Sequence, residues 1–301
     1  MPRREGVARI GTLNVRWFPD GVPGGTPRPS MATDVEWLSC VLAWLNLDAL
    51  ALQEIKISSH GRDALALLTQ RLDAQTGGRH RAELDDCPLN PGQHVGWLVD
   101  TTRVSAQHFE VHGSINPKGD ACTGQLRPGL GVDLTFPGGL DAHFVSLHLK
   151  SGATENDLTL RKRSLESFAG IARRVAERRS DGDVVFLGDF NTMGCEDCLP
   201  VVGSSAEAAE LDRTLLAAEP STRRVPAEPP CTHYYQRRPG LLDHFVATRS
   251  MLELPAGLRS QSFGVCRLNA CESRSGASPA ASRHLSDHCP LVLELPDQKR
   301  D

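Results

Sequence analysis

No run of about 18 or more apolar residues occurs in this 301-residue chain, which excludes a helix that spans a membrane. Positive charge is also in short supply: 33 lysines and arginines stand against 37 aspartates and glutamates, a net charge of −4. Proteins that hold nucleic acid by bulk electrostatics carry a basic balance, because phosphate neutralisation drives that binding. Any nucleic-acid contact here therefore depends on local basic patches. Linker-like stretches and low-complexity segments are missing too. Strand–helix–strand patterns recur in both halves, so residues 1–301 are expected to form a single α/β domain with an internal pseudo-repeat. The stretch Met1-Pro-Arg-Arg-Glu5 lacks the apolar region of a signal peptide.

Cysteine, by contrast, is plentiful: Cys40, Cys87, Cys122, Cys195, Cys198, Cys231, Cys266, Cys271 and Cys289. Most lie among polar or Gly/Pro neighbours, a pattern that points to disulfides and an oxidising compartment. We expect a secreted or periplasmic protein whose leader is absent from this sequence, the alternative being a cytoplasmic one. The odd count leaves one thiol free, and Cys40, inside an apolar helix, is the natural choice. Cys195-Glu-Asp-Cys198 reads as a small disulfide loop. Its alternative is half a zinc site, but no second CxxC and no well-spaced histidine pair complete a tetrahedral set. For Cys266 and Cys271, pairing with each other and with distant partners both stay open.

Apolar periodicity predicts strands over 9–15, 49–53, 95–99, 130–136, 142–149, 183–187, 241–247 and 291–295. Helices are expected over 33–45, opened by the capping-box pattern Thr33-Asp-Val-Glu36, and over 61–74 and 156–179. Residues 19–30 read as an irregular loop, 100–129 as a polar stretch, and 219–239 as a loop rich in proline and arginine. Trp17-Phe18 stands out as a pair of aromatics suited to exposure.

The informative polar residues fall at strand ends. Asn14 and Glu54 end the first two strands, and His148 lies near the end of the 142–149 strand. Asp189 and Asn191 follow 183–187 through Gly188, Asp243 sits in Leu241-Leu-Asp-His-Phe245, and Asp287 and His288 precede the last strand. Strand ends of an α/β fold converge on one rim, where clefts form. Each residue type suits phosphate-ester hydrolysis. An anionic substrate attacked by water requires charge neutralisation, which a hard cation supplies. Mg2+ and Mn2+ want oxygen ligands, and Glu54 and Asp287 are suitable carboxylates. Asn14 and Asn191 orient ligands without adding charge, and in extended backbone Asp189 and Asn191 leave the chain on the same side. A histidine beside a carboxylate serves as a base or as a phosphate-binding cation. Taken singly, each has a bland reading as a turn former, a cap or a buried pair; six such strand ends in this order do not.

That order resembles the endonuclease/exonuclease/phosphatase superfamily, which includes deoxyribonuclease I, AP endonucleases, bacterial sphingomyelinases and inositol-polyphosphate phosphatases. The matching segments are Thr12-Leu-Asn-Val-Arg-Trp17, Leu52-Gln-Glu-Ile55, Ser146-Leu-His-Leu-Lys-Ser-Gly152, Leu187-Gly-Asp-Phe-Asn-Thr192, Leu242-Asp-His244 and Leu285-Ser-Asp-His-Cys-Pro-Leu291. The resemblance implies a four-layer α/β/β/α sandwich of two mainly antiparallel sheets, with the site at their top. It implies that Glu54, helped by Asn14 and Asp287, holds Mg2+ or Mn2+. Asp189 then orients or deprotonates the water, with Asn191 on the phosphate. His288, held by Asp243, binds the phosphate or acts as acid/base partner. His148 joins the catalytic set, and since AP endonucleases carry tyrosine at the matching position, it argues against abasic-site repair. Arg127 and Lys150 are assigned to the substrate. The implied activity is phosphodiester hydrolysis by a monomer, foremost as an endonuclease on DNA or RNA. A phosphomonoesterase, a phospholipid phosphodiesterase and a catalytically silent binding module are the alternatives. The segment holding Arg223, Arg224, His233, Tyr234, Tyr235, Arg237 and Arg238 interleaves cations and aromatics in a way suited to a phosphate backbone.

Overall fold

The computed structural model describes residues 1–2, 4–24, 28–87, 92–118, 126–179 and 181–300. In chain order the first half comprises β1 (Val7–Phe18), α1 (Val35–Leu45), β2 (Ala49–Ile55), α2 (Ser59–Thr76), β3 (His80–Leu84), β4 (His94–Asp100), β5 (Ser105–His112), β6 (Gly129–Thr135) and β7 (Asp141–His148). There follow α3 (Glu155–Arg179), β8 (Val184–Asp189), α4 (Ser204–Ala217), β9 (Thr222–Val225), β10 (Ala227–Glu228), β11 (His233–Tyr235) and β12 (Arg238–Gly240). The chain closes with β13 (Asp243–Thr248), β14 (Ser260–Ser262), α5 (Val265–Leu268), α6 (Ala280–His284) and β15 (Leu291–Pro296).

Two sheets form, in the orders β10-β14-β15-β1-β2-β4-β3 and β5-β6-β7-β8-β13-β9, beside a two-stranded β11-β12 ribbon. Most pairings are antiparallel. The exceptions include β1 with β2 and β7 with β8, each a parallel pair joined by a crossover helix, and they are the two halves of the expected pseudo-repeat. Strand alternation produces three apolar layers. Ile10, Ala51, Trp97, Val132, Phe144, Leu187, Phe245 and Leu293 fill the space between the sheets. Leu38, Leu42, Leu65 and Leu68 of α1 and α2 cover the outer face of the first sheet over Leu13, Leu50 and Leu52. Phe168, Ile171, Leu211 and Leu215 of α3 and α4 cover the second over Val145, Leu147 and Phe186. The molecule is thus the α/β/β/α sandwich.

Moving up the strands, the inter-sheet face changes from apolar to polar. Thr12 donates to Gln53 Oε1 (3.2 Å), and Gln53 Nε2 donates to Ser146 Oγ (3.3 Å), a buried bridge between the sheets. One pleat higher lie Asn14, His148, Asp189 and Asp243. His148 and Asp243 are register partners of Asp189 on its two sides, so three catalytic candidates stand in one row.

Several expectations are corrected. The N-cap of α1 is Asp34, which accepts from Trp37 N, rather than Thr33. Within the stretch expected to be merely polar lies β5, and within the arginine-rich segment expected to be loop lie β9 to β12. Both regions alternate polar and exposed side chains, so apolar periodicity passes over them. Helix α4 and strand β3 were likewise unforeseen. Phe18 is fully buried and Trp17 half-buried, so the aromatic pair is not an exposed one. Residues 25–27 of the 19–30 loop lie outside the described residues.

The cysteines pair as Cys195–Cys198, Cys231–Cys271 and Cys266–Cys289. The CxxC is thus the expected disulfide loop, and Cys266 and Cys271 each take a distant partner. Cys87 is also disulfide-bonded, Cys122 lies outside the described residues, and Cys40 is free on an exposed face of α1.

Asp100, at the end of β4, accepts from Thr102 N (3.0 Å), Thr102 Oγ1 (2.6 Å) and Arg79 N (3.3 Å). Burial works against its charge, but these donors outweigh it and hold the pKa below the usual carboxylate value. A lowered native pKa contributes stability that is present above the unfolded value of about 3.9 and is lost progressively below it, as pH falls through the lower native value. Asp100→Asn is therefore expected to flatten the acid limb, its urea midpoint falling less than that of the wild type between about pH 5 and pH 3. Parallel curves for the two proteins would remove Asp100 from the acid response.

Candidate active site

Asn14, near the top of β1, ties the site together. Its Nδ2 donates to Glu54 Oε1 (2.9 Å) and to Asp189 Oδ2 (3.0 Å), one carboxylate from each sheet. Regular alternation along β2 would send Glu54 with Leu50 and Leu52 towards the helix layer. Instead Glu54 has φ 64° at a register shift in β2, and this bulge re-aims its carboxylate. Trp17 N donates to Glu54 Oε2 (3.0 Å) and fixes the second oxygen. Gly188 precedes Asp189 at φ 140°, where a Cβ would lie 2.0 Å from Leu147 O, so the Gly-Asp sequence is required by the close approach of β7.

Two histidines face Asp189. His148 Nε2 and His288 Nε2 each lie 3.6 Å from Asp189 Oδ2, and His148 Nε2 is 3.8 Å from Glu54 Oε1. His288 Nδ1 donates to Asp243 Oδ2 (2.8 Å). Asp243 is itself aligned by Thr232, whose Oγ1 accepts from Leu242 N (3.0 Å) and Asp243 N (2.9 Å). Ser286 Oγ donates to the carbonyl of Asn14 (2.6 Å) and accepts from His288 N (3.0 Å), locking the last loop to β1.

The electrostatics separate these groups. Burial raises Asp189 to about 7, with Asp243 adding to the rise against the pull of His288. Burial alone would lower His288, but Asp243, Asp189 and Asp287 outweigh it and push the imidazole up to about 10. Burial, then the positive charges of Arg127 and His288, hold His148 well below the ordinary histidine range. The row therefore contains a proton acceptor, an imidazolium and a neutral imidazole within one small space.

Not every expected residue is brought in. Asn191 has φ 52°, so the extended backbone expected between it and Asp189 is absent; its N donates to Asp189 Oδ1 (2.9 Å) and its Nδ2 to Leu149 O (3.1 Å). Lys150 is engaged by Asp157 (2.8 Å) at the start of α3. Arg127 donates to Gln93 O (3.3 Å) and feels the charges of Glu54 and Asp189. Asp287 pairs with His233 Nε2 (3.7 Å), and His233 and His288 lie ring to ring with centroids 4.6 Å apart. For Asp287, burial would raise the pKa, but the His233 contact and the charge of His288 hold it well below the carboxylate range.

In the sequence His233 is only one member of an arginine-rich segment. The ribbon brings it to the site, because Cys231–Cys271 and Cys266–Cys289 pin β11 against the Asp287–Cys289 loop, where His233 bridges to His288. Arg223 and Arg224 turn away: Arg224 pairs with Asp212 (2.9 and 2.7 Å) and Arg223 donates to the carbonyl of Leu254.

The donor set suits a hard divalent cation. Glu54 and Asp189 present carboxylate oxygens to one amide, and no lysine pairs with either among the described residues. His148 Nδ1 and Asp243 Oδ1 are buried polar atoms with no hydrogen-bond partner. Buried carboxylate charge and an unpartnered imidazole nitrogen of this kind are what a bound cation relieves.

No family model matches the sequence, and no curated protein matches it. Solved structures do. D. rerio TDP2 complexed with a single-strand DNA product superposes with a TM-score of 0.63 at 17% identity, covering 97% of this chain and 99% of that one. An endonuclease/exonuclease/phosphatase from Bacteroides vulgatus gives 0.61 at 13% identity, covering 96% and 98%. The human Nocturnin catalytic domain with bound sulfate gives 0.60 at 13% identity, covering 96% and 94%. At such identities the likeness establishes the fold: this chain has the endonuclease/exonuclease/phosphatase fold along nearly its whole length.

Proposed function

We propose that this chain is a divalent-metal-dependent phosphodiester hydrolase that acts on nucleic acid as an endonuclease. The observation that carries the reading is the convergence of Asn14, Glu54, His148, Asp189, Asp243 and His288 on one rim, with a carboxylate of each sheet bonded to the same amide. Glu54, with help from Asn14 and Asp287, would hold Mg2+ or Mn2+. When bound, that ion supplies charge neutralisation at the phosphate and lowers the pKa of water. Asp189, raised towards neutrality by burial, suits the group that orients the water and takes its proton. His288, kept protonated by Asp243, suits the cation that meets the charge developing on phosphate oxygen. Arg127 adds a second positive charge over the site.

The ribbon supports a polymeric substrate. Tyr235 is 62% exposed and lies parallel to His233, with centroids 6.4 Å apart and planes 12° apart. Beyond it Arg237, Arg238 and Arg274 line a shallow cleft with Gln236. An aromatic platform followed by cations is suited to a base and the phosphates that follow it. TDP2, of the same fold, was solved with single-strand DNA product. The disulfides, Cys195–Cys198, Cys231–Cys271 and Cys266–Cys289 among them, support work in an oxidising compartment, as for an exported protein.

A second reading, phospholipid hydrolysis, is favoured by one feature. An apolar cavity of about 370 Å³, lined by Trp37, Val41, Trp44, Phe263 and Leu285, runs up to Asp287 and His288.

The test is nicking of supercoiled plasmid with Mg2+, Mn2+ or EDTA, run beside hydrolysis of a small aryl phosphodiester and of phospholipid vesicles. Nicking that EDTA abolishes is expected. Arg237→Glu with Arg238→Glu should weaken DNA binding and cut the salt slope by about one for each lost phosphate contact, while sparing the small diester. Turnover of vesicles alone would move the assignment to lipid. Absence of metal-dependent turnover on every substrate would sink it altogether.

A further inference from the structure

The outer edge of the second sheet holds a second cluster that hydrolysis does not use. His143 on β7 and His112 at the end of β5 face each other across Gly131 of β6, with Nε2 to Nε2 at 2.8 Å. Both rings are buried. They lie on the face turned towards α3, with Val145 and Leu147, whereas His148 faces the other sheet roughly 16 Å further along β7. A Cβ at position 131 would sit 2.3 Å from His143 Nε2 and 2.6 Å from His112 Nε2, so glycine is what leaves both rings their room.

With both rings neutral, the proton count in this contact does not close. His143 Nδ1, 3.4 Å from Arg178, then donates to Asp133 (2.7 Å), a carboxylate itself clamped by Arg178 and Arg179, and a neutral His143 turns an Nε2 lone pair to His112. The one proton between the rings must then belong to His112 Nε2. That leaves His112 Nδ1 a buried acceptor with no hydrogen-bond partner. The group facing it at 4.0 Å is the carboxylate of Glu110, another acceptor. Giving the proton to Nδ1 instead would set two lone pairs against each other.

We propose that His112 and His143 form a second metal site, for a borderline transition ion such as Zn2+, with Asp133 and Glu110 as the carboxylates behind them. An ion between the rings takes both Nε2 lone pairs. The His112 proton moves to Nδ1, where Glu110 accepts it, as Asp133 already accepts from His143. Each imidazole then carries a carboxylate on its far nitrogen, the arrangement that orients metal-binding histidines. Two nitrogens on a tetrahedral zinc lie about 3.3 Å apart, so the nitrogens must part by about half an ångström and the rings, head to head with centroids 5.1 Å apart, must turn to aim both lone pairs at the ion. β5 is the sheet edge and Glu110 is 46% exposed, which gives an entry path for the ion and for the waters that complete its shell. Arg174 and Arg178 are the cations nearby, so a hard ion gains little here from charge alone; imidazole affinity selects instead, favouring Zn2+, Ni2+ or Cu2+ over Mg2+.

The experiment uses the whole chain, stripped with EDTA and kept in excess Mg2+, titrated with Zn2+ by calorimetry and by histidine 15N NMR. One equivalent is expected to bind while the Nε2 signals of His112 and His143 move together. The same equivalent should persist in Glu54→Gln, which separates it from the hydrolytic site. His112→Gln should lose it, and Glu110→Gln, on the exposed edge, should weaken it about tenfold. If His112→Gln fails to fold, X-ray absorption of the zinc-loaded wild type decides, two imidazole ligands being the supporting result. No uptake, uptake that leaves both Nε2 signals in place, or full retention in a folded His112→Gln protein overturns the proposal.

Discussion

Replacing His288 by alanine is expected to lower kcat/KM on a small phosphodiester by about a thousandfold, the range for loss of a positioned acid or base. The imidazole is the group held charged by Asp243 at 2.8 Å and aimed at Asp189 at 3.6 Å, so no neighbour replaces it. Its removal also strands Asp243, whose side chain is buried, and a buried unsatisfied group costs about 1–3 kcal/mol. Near-UV circular dichroism should nevertheless report an intact fold, because the three apolar layers are untouched. Asp243→Asn is the companion: the ring keeps a hydrogen-bonding neighbour but loses the charge that holds it protonated, so a smaller fall is expected. Asp189→Ala should match His288→Ala. An alanine variant turning over at the wild-type rate would remove that residue from the mechanism.

The second large effect lies away from the reacting atoms. Arg161 of α3 is 1% exposed, and its guanidinium is bidentate on Glu207 of α4 at 2.6 and 3.0 Å. Its remaining N–H groups reach Lys150 O (3.0 Å), Gly152 O (2.7 Å) and Gly194 O (2.9 Å). One side chain thus holds the segment after His148, the segment after Asn191 and α4 in a single arrangement. Gly194 N adds a bond to the same Glu207 carboxylate at 2.6 Å. Arg161→Ala leaves that carboxylate buried and unpaired and is expected to cost about 3–5 kcal/mol in denaturant unfolding. Glu207→Ala should cost a similar amount, and the double variant much less than the sum, since the two act as one unit. Because both released segments leave the ends of β7 and β8, hydrolysis should fall as well, through displacement of His148 and Asp189. Additive losses in the double variant would show that the pair is not coupled.

What could be read ahead of the structure follows from where polar residues interrupt apolar alternation. Asn14, His148 and Asp189 each follow residues that pack between the sheets, Asp243 opens an antiparallel strand whose later residues do, and period-two geometry then places them on the same rim. The long stripe of α3 and the two strand–helix–strand crossovers were visible for the same reason, since hydrophobic periodicity is a local property. Strand β5 gave no such signal, because a bulge between Gln107 and Glu110, with His108 at φ 49°, breaks its alternation.

By itself the sequence determined the order of strand-end groups, the α/β layering and the free thiol at Cys40. The tertiary structure decided the rest. It aimed Glu54 through a positive φ and a bulge, turned Asn191 out of extended backbone, and engaged Lys150 with Asp157. It drew His233 onto His288 through disulfides spanning 40 and 23 residues, and set His112 opposite His143 across a glycine. The two histidine contacts join segments far apart in the chain, and the backbone turns at Glu54 and Asn191 are set by the strands beside them. Their formation depends on how the layers pack, and local spacing carries no record of it.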